Sequence, residues 1–252
     1  MAEEIASEDE LDLALAAELQ AALLPTECPA DCPHYVAAAR NRMCRSVGGD
    51  FYDFIRINED QTVLVVGDVV GHGVRASLLM AQIMGYLRSR VGDLIRPVRS
   101  ISALNRMLLG LGDKIGSVML CSMFYALIDS PSGICFYINC GHPGPVLCGR
   151  GGGALHFMGS EGILLGVEDF VPEELCYTFM PDDRLVMYTD GITDAANGRD
   201  KRFGRDRLLK IISGHVKSSP AELADAVFEA VEEFRGGAER TDDETIVVVD
   251  RT

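Results

Sequence analysis

Four aspartates in this chain share one habit. Asp50 opens the apolar stretch DFYDFIRI after two glycines, Asp68 interrupts LVVGDVV, Asp190 ends RLVMYTD ahead of Gly191, and Asp242, beside Asp243, precedes TIVVV. A carboxylate in such surroundings is costly to bury unless something offsets its charge. Carboxylates converging from several strand ends repel one another and raise each other's pKa, and a divalent cation resolves that conflict. Hard oxygen donors with no His or Cys set beside them suit Mg²⁺ or Mn²⁺ rather than zinc. Taken singly, an aspartate near a turn more often caps or hydrogen-bonds the backbone. The recurrence of four points to metal chemistry.

Other chemistries find less support. The GHG at 71–73 precedes a helical pattern, so its amides could face an anion, while His72 and the histidine of NCGHPGP (139–145) read first as packed loop residues. No G-K-[ST] follows a glycine-rich loop and no G-x-S-x-G elbow is present, which sets aside a P-loop and a serine-hydrolase nucleophile. Eight cysteines form no C-x-x-C pair. Most sit among apolar neighbours, where a free thiol packs as a small hydrophobe, and the expectation is a reduced, cytoplasmic protein.

The elements that must position the aspartates come next. Residues 8–24 read as one amphipathic helix with Leu11, Leu15, Leu19 and Ala22 as its stripe, stopped by Pro25, and TECPADCP (26–33) as a connector. Strands follow at 35–40, 50–57 and 62–70, the last two joined by a turn at 58–61; helices at 74–90 and 98–111; strands at 118–129 and 133–141. PVLCGR, LHFMG, ELCYTFM and RLVMYTD continue the β character before helices at 205–213 and 220–235 and a last strand at 245–250. This order does not alternate in the βαβ manner, and it predicts an α+β sandwich of largely antiparallel sheets.

The balance of 38 acidic against 23 basic residues gives a net charge of −15. That argues against nucleic acid or an anionic membrane as the general partner, though not against a small basic pocket for one phosphate. No apolar run reaches the ~18 residues of a membrane span, and the acidic N-terminus lacks the basic start of a secretory signal. Apolar residues at 48% suffice for a sizeable core.

VGGDFYDF, GDVVGHGVRASLLM, NCGHPGP, YTDGITDAAN, RFGRDRL and TDDETIVVV, in this order, resemble the bacterial metal-dependent serine/threonine phosphatases of the RsbU/SpoIIE type, a PP2C-like (PPM) branch. AELQAALLP before them is similar to the helical linker that introduces such domains. The resemblance spans roughly residues 13–250 and implies an α-β-β-α sandwich over 26–252, led by a linker segment at 1–25. It also implies two Mn²⁺ or Mg²⁺ ions on Asp50, Asp68, Asp190 and Asp242, with the Val69 carbonyl as a further ligand and Asp68 as the bridge. Asp243 stays open as an alternative to Asp242, and Asp194 matches a further acidic position. Arg45 stands where relatives carry a phosphate-binding arginine, although Arg40 and Arg42 lie close by. Cys140 and Val70 depart from the usual pattern without removing a ligand. The implied substrate is a phosphorylated protein, such as a STAS-domain anti-anti-sigma factor. The stripe of the 8–24 helix further suggests a homodimer through that helix.

Overall fold

A computed structural model describes residues 7–25, 34–149, 155–159 and 162–252. The connector read at 26–33 lies outside the described residues. Two five-stranded sheets, antiparallel throughout, stack face to face. The first runs β1 (Tyr35–Arg42), β10 (Glu244–Arg251), β9 (Asp183–Tyr188), β6 (Val146–Gly149), β7 (His156–Phe157). The second runs β2 (Asp50–Arg56), β3 (Gln61–Val69), β4 (Cys121–Asp129), β5 (Ile134–Cys140), β8 (Leu175–Thr178). Helices α2 (Val74–Ser89) and α3 (Pro97–Ile115) cover the second sheet, and α6 (Pro220–Arg235), with α5 (Arg205–Gly214) beside it, covers the first. The expected α+β sandwich is the observed fold.

This layering explains why the strands read as unbroken apolar runs. In β10, Val247 and Val249 face the core between the sheets, while Ile246 and Val248 face the helices. A strand covered on both sides shows no alternation, because both of its faces are dry.

Helix ends follow local chemistry. Ser219 and Glu222 form a capping box at the start of α6, Pro220 takes the first turn, and Gly236 closes the helix in the left-handed region. α1 (Glu8–Leu23) begins with the same device, Ser7 and Glu10. Its buried side is not the expected stripe. Leu11, Leu15 and Leu19 are exposed, and the helix meets the domain with Gln20 and, just past its end, Leu24. Among the described residues six cysteines are free and none is bonded to another, and no helix is long and apolar enough to cross a membrane.

Candidate active site

The β2–β3 pairing sets Asp50 opposite Asp68. One step along, Phe51 lies opposite Gly67, and a β-carbon there would sit 2.4 Å from the ring. Glycine lets the aromatic ring cross the neighbouring strand, which locks the register beside both carboxylates. Asp50 is buried, and its Oδ2 accepts hydrogen bonds from the hydroxyls of Thr189 and Thr245. Burial pushes its carboxyl well above the usual range and Asp68 adds to that, against the two hydroxyls. Asp68 is pushed up to about 7, chiefly by burial and then by Asp190, Asp242 and Asp243. These carboxylates therefore share one electrostatic neighbourhood.

Asp190 does not end a strand. It is the first residue of a short helix, α4 (Asp190–Asp194). The β9–β10 ladder carries on to Thr189, whose N–H donates to the Thr245 carbonyl, and the chain then turns. Gly191 permits that turn, because a β-carbon there would lie 1.8 Å from the Asp243 carbonyl oxygen. Burial raises the Asp190 carboxyl, with Asp194 adding and Arg202 opposing. Asp194 itself is half-exposed and pairs with Arg202 at 2.7 Å.

Asp242 and Asp243 meet different fates. Asp243 is buried, and its two oxygens accept the backbone N–H groups of Cys44 and Gly49, each at 2.7 Å. Its carboxylate fills the space that a β-carbon on Gly48 would need. Asp242 is exposed, yet its carboxyl is raised by the burial it does have, with Asp190 among its repelling neighbours. Asp243 is thus committed to the 44–49 loop, and Asp242 is the one left to face the other carboxylates.

That loop is held at further points. The Gln20 amide pairs with both polar groups of the Gly48 backbone, at 2.8 and 3.1 Å. The Arg240 guanidinium donates to the Met43 carbonyl at 3.2 Å, and the Gly49 carbonyl accepts from the Val69 N–H at 3.3 Å. Of the three neighbouring arginines, Arg40 pairs with Asp225 at 2.6 Å and Arg42 with Glu232 at 3.5 Å. Arg45 is exposed and forms no ion pair among the described residues.

A metal's fit can be judged from Gly49. A β-carbon there would meet the Val69 carbonyl oxygen at 2.5 Å and Asp68 Oδ1 at 3.3 Å. Glycine thus lets a backbone carbonyl and a carboxylate oxygen pack close to the strand end that carries Asp50, and with the neighbouring carboxylates they make an all-oxygen donor set of the kind a hard cation takes. Among the described residues no three His, Cys, Asp or Glu side chains stand ready as a cage. The donors on offer are therefore separate carboxylates and a carbonyl, oxygens of the kind Mg²⁺ takes together with water.

The residues that sequence reasoning passed over are the supports. Thr189 and Thr245 each sit next to or near a candidate ligand, yet only the fold shows that both hydroxyls reach Asp50. His142 is buried, with Nδ1 2.8 Å from the Ser122 hydroxyl, and Ser122 is the cross-strand partner of Asp68. Burial holds its pKa down at about 3 against a backbone contact with Tyr188, so the ring is neutral.

Comparison with known proteins agrees with this architecture. The SiaA-PP2C domain of Pseudomonas aeruginosa superposes with a TM-score of 0.83 at 18% identity, covering 97% of each chain. Protein IcfG of Synechocystis is 29% identical over 96% of this chain and 42% of its own length. Phosphoserine phosphatase RsbP of Bacillus subtilis is 25% identical over 81% of this chain and 49% of its own. The chain thus spans somewhat under half the length of these two relatives. Residues 58–252 match the family described as Stage II sporulation protein E (SpoIIE), and the chain belongs to that family.

Proposed function

We propose that this chain is a metal-dependent protein phosphatase that hydrolyses phosphoserine or phosphothreonine. The observation that carries the reading is the gathering of Asp50, Asp68, Asp190 and Asp242 in one electrostatic neighbourhood, with the Val69 carbonyl and Asp68 Oδ1 both packed against Gly49. Those five residues would hold two Mn²⁺ or Mg²⁺ ions. A bound divalent pair supplies a water acidic enough to be a nucleophile near neutral pH and offsets the charge that grows on the phosphoryl oxygens.

The chain's own groups do the rest. Thr189 and Thr245 fix the Asp50 carboxylate by holding one of its oxygens. Asp243 fixes the 44–49 loop, and with it the offset between Asp50 and Arg45. Arg45, exposed and without an ion pair among the described residues, is the group that grips the phosphoryl oxygens, which a guanidinium can do with two parallel hydrogen bonds. Asp194 stays a more distant candidate, since Arg202 already occupies one of its oxygens.

The substrate class follows from relatives such as RsbP, which carries phosphoserine phosphatase in its name. A STAS-type anti-anti-sigma factor or similar partner-switching protein in the cytoplasm is the proposed target. Residues 1–25 act as a linker to the 26–252 domain, and the exposed Leu11, Leu15 and Leu19 offer a face for a second copy.

The test is phosphate release from p-nitrophenyl phosphate and from a phosphoserine peptide, with and without Mn²⁺. Wild type should be active only with metal, and Asp68→Asn should lose at least a hundredfold in kcat. A variant as active as wild type would sink the assignment.

A further inference from the structure

The chain is strongly acidic, yet one segment beside the candidate site is not. Residues 199–210, RDKRFGRDRLLK, hold Arg199, Lys201, Arg202, Arg205, Arg207 and Lys210 against only Asp200 and Asp206, a local charge of +4 in a chain of −15. All six cations are exposed. Arg202 ties the segment to the site through Asp194, at 2.7 Å, and is close enough to Asp190 to oppose the rise in its pKa. The Phe203 and Gly204 N–H groups donate to the carbonyls of Ala195 and Thr193, so the basic segment is laced to α4 at its far end as well.

The segment is also preorganised. Ala196 and Arg202 form a bridge, and the Asn197 side chain accepts the N–H groups of Arg199 and Lys201 at 3.0 and 3.2 Å. Asp200 takes a left-handed φ of 58°, which closes the tip. Arg205 lies 3.5 Å over the Phe157 ring and Arg207 4.6 Å over that of Phe234. Those two are spent partly on packing. Arg199, Lys201 and Lys210 form no ion pair among the described residues. Three cations are thereby displayed with no ion-pair partner among the described residues.

Self-repulsion and solubility do not call for such clustering, since the protein's own acids would neutralise scattered cations equally well. Clustering pays where it sets a direction: an acidic body repels an acidic partner except where cations gather, and this cluster, unlike the arginines of residues 88–106, is tied to the candidate site through Arg202 and Asp194, so it orients the partner there before contact. We propose that the 199–210 face docks an acidic stretch of the protein substrate flanking its phosphoserine and delivers the phosphate to the adjoining carboxylate site. This rests on the phosphatase reading and adds to it a substrate feature, acidity next to the phosphorylated residue.

The experiment uses two fluorescein-labelled synthetic phosphoserine peptides, one with glutamates flanking the phosphoserine and one with glutamines in their place. Anisotropy on the full chain reads affinity without turnover. Wild type should prefer the glutamate peptide roughly tenfold at low salt, and the preference should shrink as salt screens it. In the double variant Arg199→Glu/Lys201→Glu the preference should vanish, with p-nitrophenyl phosphate turnover unchanged. Lys210→Glu, on α5 and outside the hairpin, should lower it in part even if the double variant folds poorly. Equal binding of the two peptides by wild type, or a preference that survives the charge reversals, overturns the proposal. So does displacement of the glutamate peptide by phosphatidylserine vesicles, which would make the face a membrane contact. Absent p-nitrophenyl phosphate turnover alongside an intact preference would remove the phosphatase reading and leave the docking face standing.

Discussion

The candidate site is built from two unlike halves. Asp50 and Asp68 stand on paired strands whose register is fixed by the Phe51–Gly67 crossing, and Asp50 is buried with two hydroxyls on one oxygen. Asp190 and Asp242 stand on a five-residue helix and on the residues before β10, both exposed. The first half is rigid because it belongs to the core. The second is shaped by contacts between loops, chiefly Gly191 against the Asp243 carbonyl. A site that must hold cations and admit a protein-borne phosphate gains from this division, since one wall keeps the geometry while the other stays within reach of solvent and substrate.

The division can be broken from the strand side first. Phe51→Ala removes a fully buried ring beside both carboxylates. It should lower the unfolding free energy by about 3–5 kcal/mol, read by denaturant titration. A loss below about 1 kcal/mol would mean that the strand half is not the rigid one. A smaller effect is expected where the halves meet. Asp243→Asn keeps the shape but turns an amide donor toward one of two backbone N–H groups, and should cost about 1–3 kcal/mol. The sharper readout is amide hydrogen exchange: protection should fall at Cys44 and Gly49 and hold within β2. Uniform loss across β2 would show that Asp243 supports the whole sheet and not its loop.

The same contrast governs what could be read from the sequence. β2, β3, β4 and β10 were legible because their apolar, β-branched runs admit no other element, and the family motifs placed the aspartates on them. α4 was not legible, because five residues containing a glycine carry no helical signal. Its turn exists only where Gly191 meets Asp243. α3 runs to Ile115, beyond the expected end at 111, and closes at Gly116 in the left-handed region. The side of α1 that meets the domain was not legible for a related reason. Gln20 is hidden because its amide pairs with the Gly48 backbone, a partner 28 residues away that no periodicity reveals. The family motif put Asp242 ahead of Asp243 as the ligand, and the fold adds a physical difference that the letters do not carry, two backbone amides that claim Asp243.

A subtler measurement separates the halves by pH. Asp68 rises from 3.8 to about 7 in the metal-free fold. The folded state therefore binds its proton more tightly than the unfolded chain does, so this group favours folding most at low pH and progressively less between about pH 4 and 7. Without metal, Tm should fall by a few degrees from pH 5 to pH 8, and Mn²⁺ should raise it more at pH 8, where the carboxylates are free of protons. A metal-free Tm that climbs over this range would show that the carboxylates do not burden one another.

The smallest effect belongs to the loop side. Asp194 and Arg202 make an exposed pair, with side chains 44% and 69% accessible, and such pairs contribute at most about 1 kcal/mol. Asp194→Asn should leave the metal-free Tm within a degree or two of wild type. Calorimetric titration with Mn²⁺ then decides its role. Unchanged affinity makes Asp194 an anchor for the Arg202 segment and nothing more, which is where its ion pair puts it. A severalfold weaker affinity at constant Tm would bring it into the ion's surroundings, and the loop half would then hold three working carboxylates against two on the strands.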